Sequence, residues 1–337
     1  MTENGNGLKL TAKEFRTDQE VRWCPGCGDY AILAAMQSFM PELGIERERT
    51  VFISGIGCAA RFPYYMNTYG MHSIHGRAPA IATGLATTRQ DLSVWVVTGD
   101  GDALSIGGNH LIHALRRNVN LKILLFNNRI YGLTKGQYSP TSELGKVTKS
   151  TPMGSLDFPF NPLSLAIGAE ATFVARAIDT DKAGMTAVLR AAAEHRGSAF
   201  VEIFQNCPIF NDDAFAFVRD DKEGVNRIPL RDGEPITWGP ERAKALRQRA
   251  DGSIEECGAG EDGVLVHDAH HEGAALAFAL SRVTQDTHGG TPVGVFRDVE
   301  RAVYDDLMAE QLATATAKRG EGDLATLLHS GETWTIS

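Results

Sequence analysis

The sequence has no long apolar run: no stretch of its 337 residues approaches the roughly 18 to 20 apolar residues that a membrane-spanning helix needs. Its first residues, Met-Thr-Glu-Asn-Gly, lack the basic start and apolar core of a secretory signal. Positive charge is also in deficit, with 33 lysines and arginines against 42 aspartates and glutamates and a formal net charge of -9. This balance argues against a nucleic-acid backbone as the main partner. We therefore expect a cytoplasmic protein that binds neither membrane nor nucleic acid.

Cysteine is scarce and its count of 5 is odd, which makes a disulfide framework a poor interpretation in a reducing compartment. Cys24 and Cys27 form a C-x-x-C loop. Cys58 lies in a second Gly-rich loop, and Cys207 precedes a proline directly after an apolar run. Four thiolates suit a zinc ion or an iron–sulfur cluster, spacing alone does not separate the two, and buried apolar packing is a third interpretation. Cys257 lacks comparable surroundings and is left out of the set.

Apolar runs alternate with helical patterns along the first two thirds of the chain. Strands are predicted at 50–54, 93–98, 121–126, 172–175 and 199–204, and helices at 30–40, 79–88, 103–117 and 181–195. This alternation predicts an α/β fold with a mostly parallel sheet flanked by helices, in which ligands bind at the carboxyl ends of the strands. After Cys207 the chain becomes polar and loop-rich. We predict a main domain over residues 1–210 and a C-terminal extension over 211–337 that packs on it or on a partner.

The sequence Gly-Asp-Gly-Asp at 99–102 follows a predicted strand and opens a predicted helix. Glycines let a backbone approach a ligand closely, and helix N-termini favour anions such as a diphosphate. Asp100 offers the hard oxygen that Mg²⁺ prefers. Asn128 ends the next strand, so it should reach the same edge of the sheet and the same ion. A lone Gly-Asp-Gly is usually only a tight turn, whereas its pairing with Asn-Asn across a βαβ unit indicates a diphosphate and metal site.

Five motifs occur in order and together identify a family. They are Cys-Pro-Gly-Cys-Gly at 24–28, Ser-Gly-Ile-Gly-Cys at 54–58, His-Gly-Arg at 75–77, Gly-Asp-Gly-Asp at 99–102 and Tyr-Gly-Leu-Thr-Lys-Gly-Gln at 131–137. Over roughly residues 18–212 the chain resembles the β subunit of 2-oxoacid:ferredoxin oxidoreductases. The stretch Phe-Pro-Tyr-Tyr-Met-Asn-Thr-Tyr-Gly at 62–70 is similar to the 2-oxoglutarate type. The resemblance implies a thiamine-diphosphate-binding fold.

The resemblance also implies an activity. It is the coenzyme A-dependent oxidative decarboxylation of 2-oxoglutarate to succinyl-CoA and CO₂, with the thiazolium ring as electron sink and electrons passing through a [4Fe–4S] cluster to ferredoxin. In this family the glutamate that activates the cofactor lies on a separate α subunit. The chain is therefore expected to be inactive alone and to work as a dimer of αβ heterodimers.

Individual residues acquire roles by the same resemblance. The cluster would be held by Cys24, Cys27, Cys58 and Cys207, and Mg²⁺ by Asp100, Asn128 and the carbonyl of Ile130. The residues expected around the cofactor are Ile56, Gly57, His75, Gly76, Arg77, Gly99, Asp100, Gly101, Asp102, Asn128 and Thr134. His75 and Thr134 are expected at the catalytic centre with Arg61, whose planar fork suits the distal carboxylate of a dicarboxylic substrate. The alternative for Arg61 is a surface residue or a partner of an internal aspartate.

Three hypotheses follow for the whole chain. The first is the oxidoreductase β subunit, specific for 2-oxoglutarate or, alternatively, acting on pyruvate or a broad range of 2-oxoacids. The second is a non-redox thiamine-dependent lyase with a structural zinc. The third is a cluster carrier that needs no thiamine diphosphate. The joint presence of the metal loop and four cysteines favours the first.

Overall fold

Eight strands form one sheet in the computed structural model, which describes residues 10–336. Nearest neighbours are parallel except for one antiparallel pair, β5 with β11. The predicted α/β class with a mostly parallel sheet is confirmed. In spatial order the strands are β2 (Tyr69–His72), β1 (Thr50–Ser54), β3 (Ser93–Gly99), β4 (Lys122–Asn127), β6 (Ala199–Phe204), β5 (Phe173–Ile178), β11 (Thr291–Asp298) and β7 (Arg227–Leu230).

Helices cover both faces of this sheet. The first face carries α1 (Asp29–Phe39) and α7 (Lys182–Glu194), and the second carries α3 (Ala78–Thr88), α5 (Gly108–Arg117), α6 (Pro162–Gly168) and α9 (Ala275–Ser281). Strand β3 shows why its apolar run is continuous: Trp95 and Val97 join the core under the first face, and Val94 and Val96 join the other. Each such side chain contributes about 1.5–3 kcal/mol when fully buried. Within residues 10–336, no helix combines the length and apolar character needed to cross a bilayer.

The C-terminal segment completes the sheet. Strands β7 and β11 extend it beyond β5, while β8 (Thr237–Trp238), β9 (Lys244–Gln248) and β10 (Ile254–Gly258) form a separate antiparallel sheet. Among the remaining helices, α2 (Phe62–Tyr65), α8 (Ala216–Arg219) and α10 (Gln285–His288) are single turns, and α11 (Tyr304–Arg319) and α12 (Leu324–Leu328) are largely exposed. The extension therefore packs on the main domain by strand addition, and the division at residue 210 stays a prediction.

The N-terminal segment is attached to the main domain through residues 15–17. Phe15 is fully buried in the core under α1, and Arg16 forms an isolated β-bridge with Met66. Burial of a phenylalanine is worth a few kcal/mol, and Asn67 also donates a backbone and a side-chain hydrogen bond to the carbonyls of Phe15 and Glu14. Residues 1–9 lie outside the described residues.

The helix predicted over 103–117 is interrupted. Helix α4 (Asp100–Leu104) ends at Ser105, whose ψ of -107° is not helical, and α5 begins at Gly108. A Cβ on Gly107 would lie 2.4 Å from the carbonyl oxygen of Asp102 and 3.0 Å from the Cα of Gly76. The break therefore lets the His-Gly-Arg loop cross the chain directly behind the metal loop.

Candidate active site

A cavity of about 130 Å³ opens beyond the carboxyl ends of β1, β3, β4 and β6. Eleven of the predicted site residues line it: Ile56, Gly57, Cys58, His75, Gly99, Asp100, Gly101, Asp102, Asn128, Ile130 and Thr134. Gly76 and Arg77 do not. The guanidinium of Arg77 instead donates to the carbonyl of His75 at 2.7 Å. The structure thus brings the metal loop, the Asn-Asn turn and one cysteine together around one space.

Asp100 is buried at the start of α4. Its Oδ2 accepts hydrogen bonds from Ser139 Oγ at 2.5 Å and Thr141 Oγ1 at 2.6 Å. Burial raises the pKa of Asp100 to about 6, and the two hydroxyl donors oppose this rise. A divalent cation would favour the ionised carboxylate. An oriented, buried carboxylate of this kind fits a magnesium ligand.

The Asn-Asn turn is built from two successive side-chain-to-backbone hydrogen bonds. Asn127 Oδ1 accepts from Arg129 N and Asn128 Oδ1 from Ile130 N, both at 3.1 Å. Arg129 has a left-handed φ of 56°, which asparagine side chains help to support. The turn places Asn128 and Ile130 on the cavity wall with Asp100, so the residues predicted to bind magnesium border one space.

Asp102 connects its own loop by hydrogen bonds to the loop that contains Ile56 and the loop that contains His75 and Gly76. Its Oδ1 accepts from His75 Nδ1 at 2.5 Å, Gly76 N at 2.7 Å and Ile56 N at 3.1 Å. Its Oδ2 accepts from Thr98 Oγ1 at 2.7 Å. An ionised carboxylate only accepts, so the Nδ1 of His75 carries the proton and a neutral ring leaves Nε2 as an acceptor. Asp102 thus binds protein groups and fixes the tautomer of His75.

Tyr131 closes the site behind the metal loop and was not predicted as a site residue. A Cβ on Gly101 would lie 2.2 Å from the Tyr131 ring, and the Tyr131 hydroxyl donates to the carbonyl of Gly101 at 2.9 Å. Ser139 and Thr141 were missed as well. Tyr131 belongs to a motif that the sequence displays, whereas nothing in the sequence around the two hydroxyl residues indicates a metal site.

The four cysteines of the predicted cluster come from three separate loops. A Cβ on Gly132 would lie 3.4 Å from the Sγ of Cys58 and 3.6 Å from that of Cys207. Cys27 Sγ accepts a hydrogen bond from Gln205 Nε2 at 3.2 Å. Cys58 lines the cavity itself, and Cys27 and Cys207 lie next to two residues that line it, Gln205 and Gly132.

Burial and neighbouring charge both act on these thiols. Burial raises the pKa of Cys58 to about 12 and raises that of Cys27 and Cys207, and the negative charges of the neighbouring cysteines add to each rise. The cysteines therefore lie within electrostatic reach of one another, and Cys24, the exposed member, acts on Cys58 and Cys207. A bound cationic metal centre would reverse this effect and favour thiolates. Across residues 10–336, no three His, Cys, Asp or Glu side chains are arranged to hold a metal ion.

Asp29 was not predicted either, and it lines the same cavity. It is 1% exposed, and neither carboxylate oxygen receives a hydrogen bond, although the Cys27 thiol is near enough to lower its pKa. Burial dominates and raises the pKa of Asp29 to about 7. An uncompensated buried carboxyl of this kind is more typical of functional sites than of a protein core.

Arg61 lines a second cleft, of about 380 Å³, which shares Ile56, Gly57 and Leu133 with the cavity. No side chain among the described residues forms a hydrogen bond or ion pair with its guanidinium, and its charge lowers the pKa of Cys58. The alternative of an internal aspartate partner is therefore not found in the described part of the chain. Thr134, which lines the cavity, donates from Oγ1 to Gln137 Oε1 at 2.5 Å.

Comparison with known proteins places these features in a family. Residues 55–203 match the model of the thiamine pyrophosphate enzyme C-terminal TPP binding domain. The 2-oxoglutarate oxidoreductase subunit KorB of Mycobacterium tuberculosis is 61% identical, over 96% of this chain and 88% of that protein. The β subunit of 2-oxoacid:ferredoxin oxidoreductase 1 of Aeropyrum pernix is 42% identical, over 72% of this chain and 76% of its own length.

A solved structure of a related enzyme also resembles this chain in fold and sequence. The 2-oxoglutarate:ferredoxin oxidoreductase of Magnetococcus marinus, determined with 2-oxoglutarate, coenzyme A and succinyl-CoA bound, matches with a TM-score of 0.76 and 34% identity, covering 96% of this chain and 97% of that one. The predicted thiamine-diphosphate-binding fold is confirmed. The chain belongs to the β subunits of the 2-oxoacid:ferredoxin oxidoreductases.

Proposed function

We propose that this chain is the β subunit of a 2-oxoglutarate:ferredoxin oxidoreductase that converts 2-oxoglutarate and coenzyme A to succinyl-CoA and CO₂. The similarity to the KorB subunit of a 2-oxoglutarate oxidoreductase and to a 2-oxoglutarate:ferredoxin oxidoreductase of known structure supports this substrate. The proposal includes a cytoplasmic location, an α subunit, ferredoxin as electron acceptor and a dimer of αβ heterodimers. The bound groups would be thiamine diphosphate, Mg²⁺ and one [4Fe–4S] cluster.

The observation that carries the proposal is the position of Cys58. It lines the same cavity as Asp100 and Asn128, and its sulfur lies beside Gly132 of the loop that follows the Asn-Asn turn. A redox centre on these thiols would therefore border the cofactor space. That juxtaposition favours electron transfer over a non-redox lyase with a remote structural zinc.

Asp100, Asn128 and the Ile130 carbonyl would hold Mg²⁺, and the N-terminus of α4 would face the diphosphate. The cofactor supplies an electron sink that lets CO₂ leave, and the cluster supplies one-electron acceptance. His75, fixed by Asp102 with Nε2 as acceptor, can hold or receive a proton at the substrate. The cavity is smaller than the roughly 300–1,000 Å³ of a complete small-molecule pocket. We infer that the α subunit completes it and supplies the activating glutamate.

Arg61 is proposed to bind the distal carboxylate of 2-oxoglutarate. Its guanidinium has no partner among the described residues, and its cleft adjoins the cofactor cavity. A planar fork can bind a carboxylate with two parallel hydrogen bonds. Leu133, which lines both spaces, would shape the same pocket.

The test is an assay of the anaerobically purified αβ complex with coenzyme A and ferredoxin. We expect Arg61→Leu to lower kcat/KM for 2-oxoglutarate by about tenfold or more, since a lost charged hydrogen bond costs about 1.5–3 kcal/mol, and to affect pyruvate less. Arg61→Lys should lose less activity than Arg61→Leu, because it keeps the charge but not the two parallel hydrogen bonds. Arg22→Leu is a matched control, since Arg22 lines the same cleft but pairs with Glu20.

Equal losses for both substrates would reject the role of Arg61. A colourless, zinc-containing complex that forms an aldehyde would reject the oxidoreductase proposal itself. Activity that survives Asp100→Ala would favour a cluster carrier.

A further inference from the structure

A buried ion pair lies behind the metal-binding turn, outside the cavity. Arg176 on β5 and Glu202 on β6 are in register, with Nε and Oε2 2.8 Å apart and side-chain exposures of 6% and 1%. Such pairs cost several kcal/mol per ion in desolvation, and well-packed apolar residues of similar volume are often as stable. Stability alone therefore does not explain this pair.

Its cation is held rigidly. The Arg176 guanidinium lies 4.8 Å from the ring centroid of Phe204 and 5.5 Å from that of Phe296, and it donates to the carbonyl of Pro292 at 3.2 Å. These contacts come from β6 and β11 and leave the guanidinium little freedom. The ion pair with Arg176 therefore also fixes the position of the Glu202 carboxylate.

The second oxygen of Glu202 reaches the Asn-Asn turn. Its Oε1 accepts from Asn127 Nδ2 at 2.7 Å. Because an ionised carboxylate only accepts, the amide nitrogen of Asn127 must face Glu202 and its oxygen must face the turn. There Asn127 Oδ1 accepts a hydrogen bond from Arg129 N at 3.1 Å. It also lies 2.9 Å from Thr141 Oγ1, the hydroxyl that lies 2.6 Å from Asp100 Oδ2.

We propose that Glu202 and Arg176 are positioning residues for the magnesium site, an inference that rests on the proposed function. A flipped Asn127 would present its NH₂ group to Arg129 N and lose one of the two hydrogen bonds that form the turn. The negative charge of Glu202 makes that flip unfavourable and so fixes the turn that carries Asn128 and Ile130. Mg²⁺ demands near-ideal octahedral geometry, so its affinity depends on this order.

The experiment compares Glu202→Gln, the double variant Arg176→Met/Glu202→Gln and the wild type, each as the anaerobic αβ complex. Mg²⁺ is titrated calorimetrically at saturating thiamine diphosphate, and the thermal midpoint is recorded. Glu202→Gln should weaken Mg²⁺ binding by about tenfold or more. The double variant removes the unpaired buried charge, so the midpoint should recover. Its Mg²⁺ binding should stay weak, because the introduced glutamine side chain can present either end of its amide to Asn127.

Asp298→Asn is the matched control. Asp298 on β11 pairs with buried His195 at 2.8 Å, at the opposite edge of the sheet from the turn. The substitution should lower the midpoint and leave Mg²⁺ affinity unchanged. The inference is overturned if Glu202→Gln binds Mg²⁺ like the wild type, or if affinity returns with the midpoint in the double variant. A wild-type complex that binds no Mg²⁺ with thiamine diphosphate overturns the proposed function instead.

Discussion

Gly101 shows how a single residue type defines the cofactor loop. We predict that Gly101→Ala destabilises the chain by about 1–3 kcal/mol and abolishes thiamine-diphosphate binding, because a Cβ there would lie 2.2 Å from the Tyr131 ring. Displacement of Tyr131 would also break its hydrogen bond to the Gly101 carbonyl. Chemical denaturation and cofactor titration measure the two effects. In the control Gly84→Ala no atom outside the helix backbone lies within 4 Å of the new Cβ, so this variant should be stabilised by up to about 1 kcal/mol.

The site residues that belong to motifs could be predicted from the sequence, whereas the residues that form hydrogen bonds to them could not. Asp100 and Asn128 follow predicted strands, so strand order alone places them at one edge of the sheet. Ser139 and Thr141 reach Asp100 only because the chain returns to it after a loop. The sequence around a hydroxyl residue in a loop does not indicate which residue it will bind. Asp29 follows the C-x-x-C motif, but its burial without a hydrogen bond arises from tertiary packing.

At the scale of elements, local pattern predicted most strands and helices to within one residue, and it missed the break in one helix and the late part of the sheet. Strands at 50–54 and 199–204 agree with their predicted bounds because both runs are continuously apolar and buried. The helix break at Ser105 depends on a backbone crossing that no local pattern reports. Strand β7 pairs with β11 from a remote part of the chain, and such non-local pairing leaves little trace in a short segment.

Helix α11 is attached to the main domain through Asp305. Its Oδ2 accepts from Asn120 N at 3.1 Å, while its buried Oδ1 has no partner among the described residues. Burial raises the pKa of Asp305, so the folded state holds this proton more tightly than the unfolded state. Stability contributed by this group is therefore present at low pH and lost as the pH rises through the folded pKa.

The expected consequence is a pH-dependent gain in Asp305→Asn. Relative to the wild type, its free energy of unfolding should increase as the pH rises from about 4, the usual aspartate pKa, and should reach on the order of 1 kcal/mol at neutral pH. Denaturation curves across this range measure it. Asp306→Asn, which removes only an exposed ion pair with Arg196, should show no such trend. A gain independent of pH would contradict the assignment.

At the scale of the whole molecule, the site joins segments that are remote in sequence. The cavity wall combines Asp29, residues 56–59, 75, 99–102, 126, 128, 130–134 and Gln205, so a ligand there contacts segments that follow several strands of the sheet. A ligand that binds only the folded state at a hundred times its Kd stabilises it by about 2.7 kcal/mol. For a chain of this size that corresponds to a rise in Tm on the order of 5 °C.

We therefore expect thiamine diphosphate with Mg²⁺ to raise the Tm of the αβ complex by several degrees, and chelation with EDTA to abolish most of the rise. The proposed role of Asp100 as a Mg²⁺ ligand would account for this dependence, because a buried carboxylate repels a diphosphate unless a divalent cation lies between them. Cys24→Ala tests the predicted cluster separately from the predicted magnesium site, because Cys24 does not line the cavity. That variant should lose iron and keep the magnesium-dependent rise. A rise that is equally large without Mg²⁺ would show that Asp100 does not bind the cofactor through a metal.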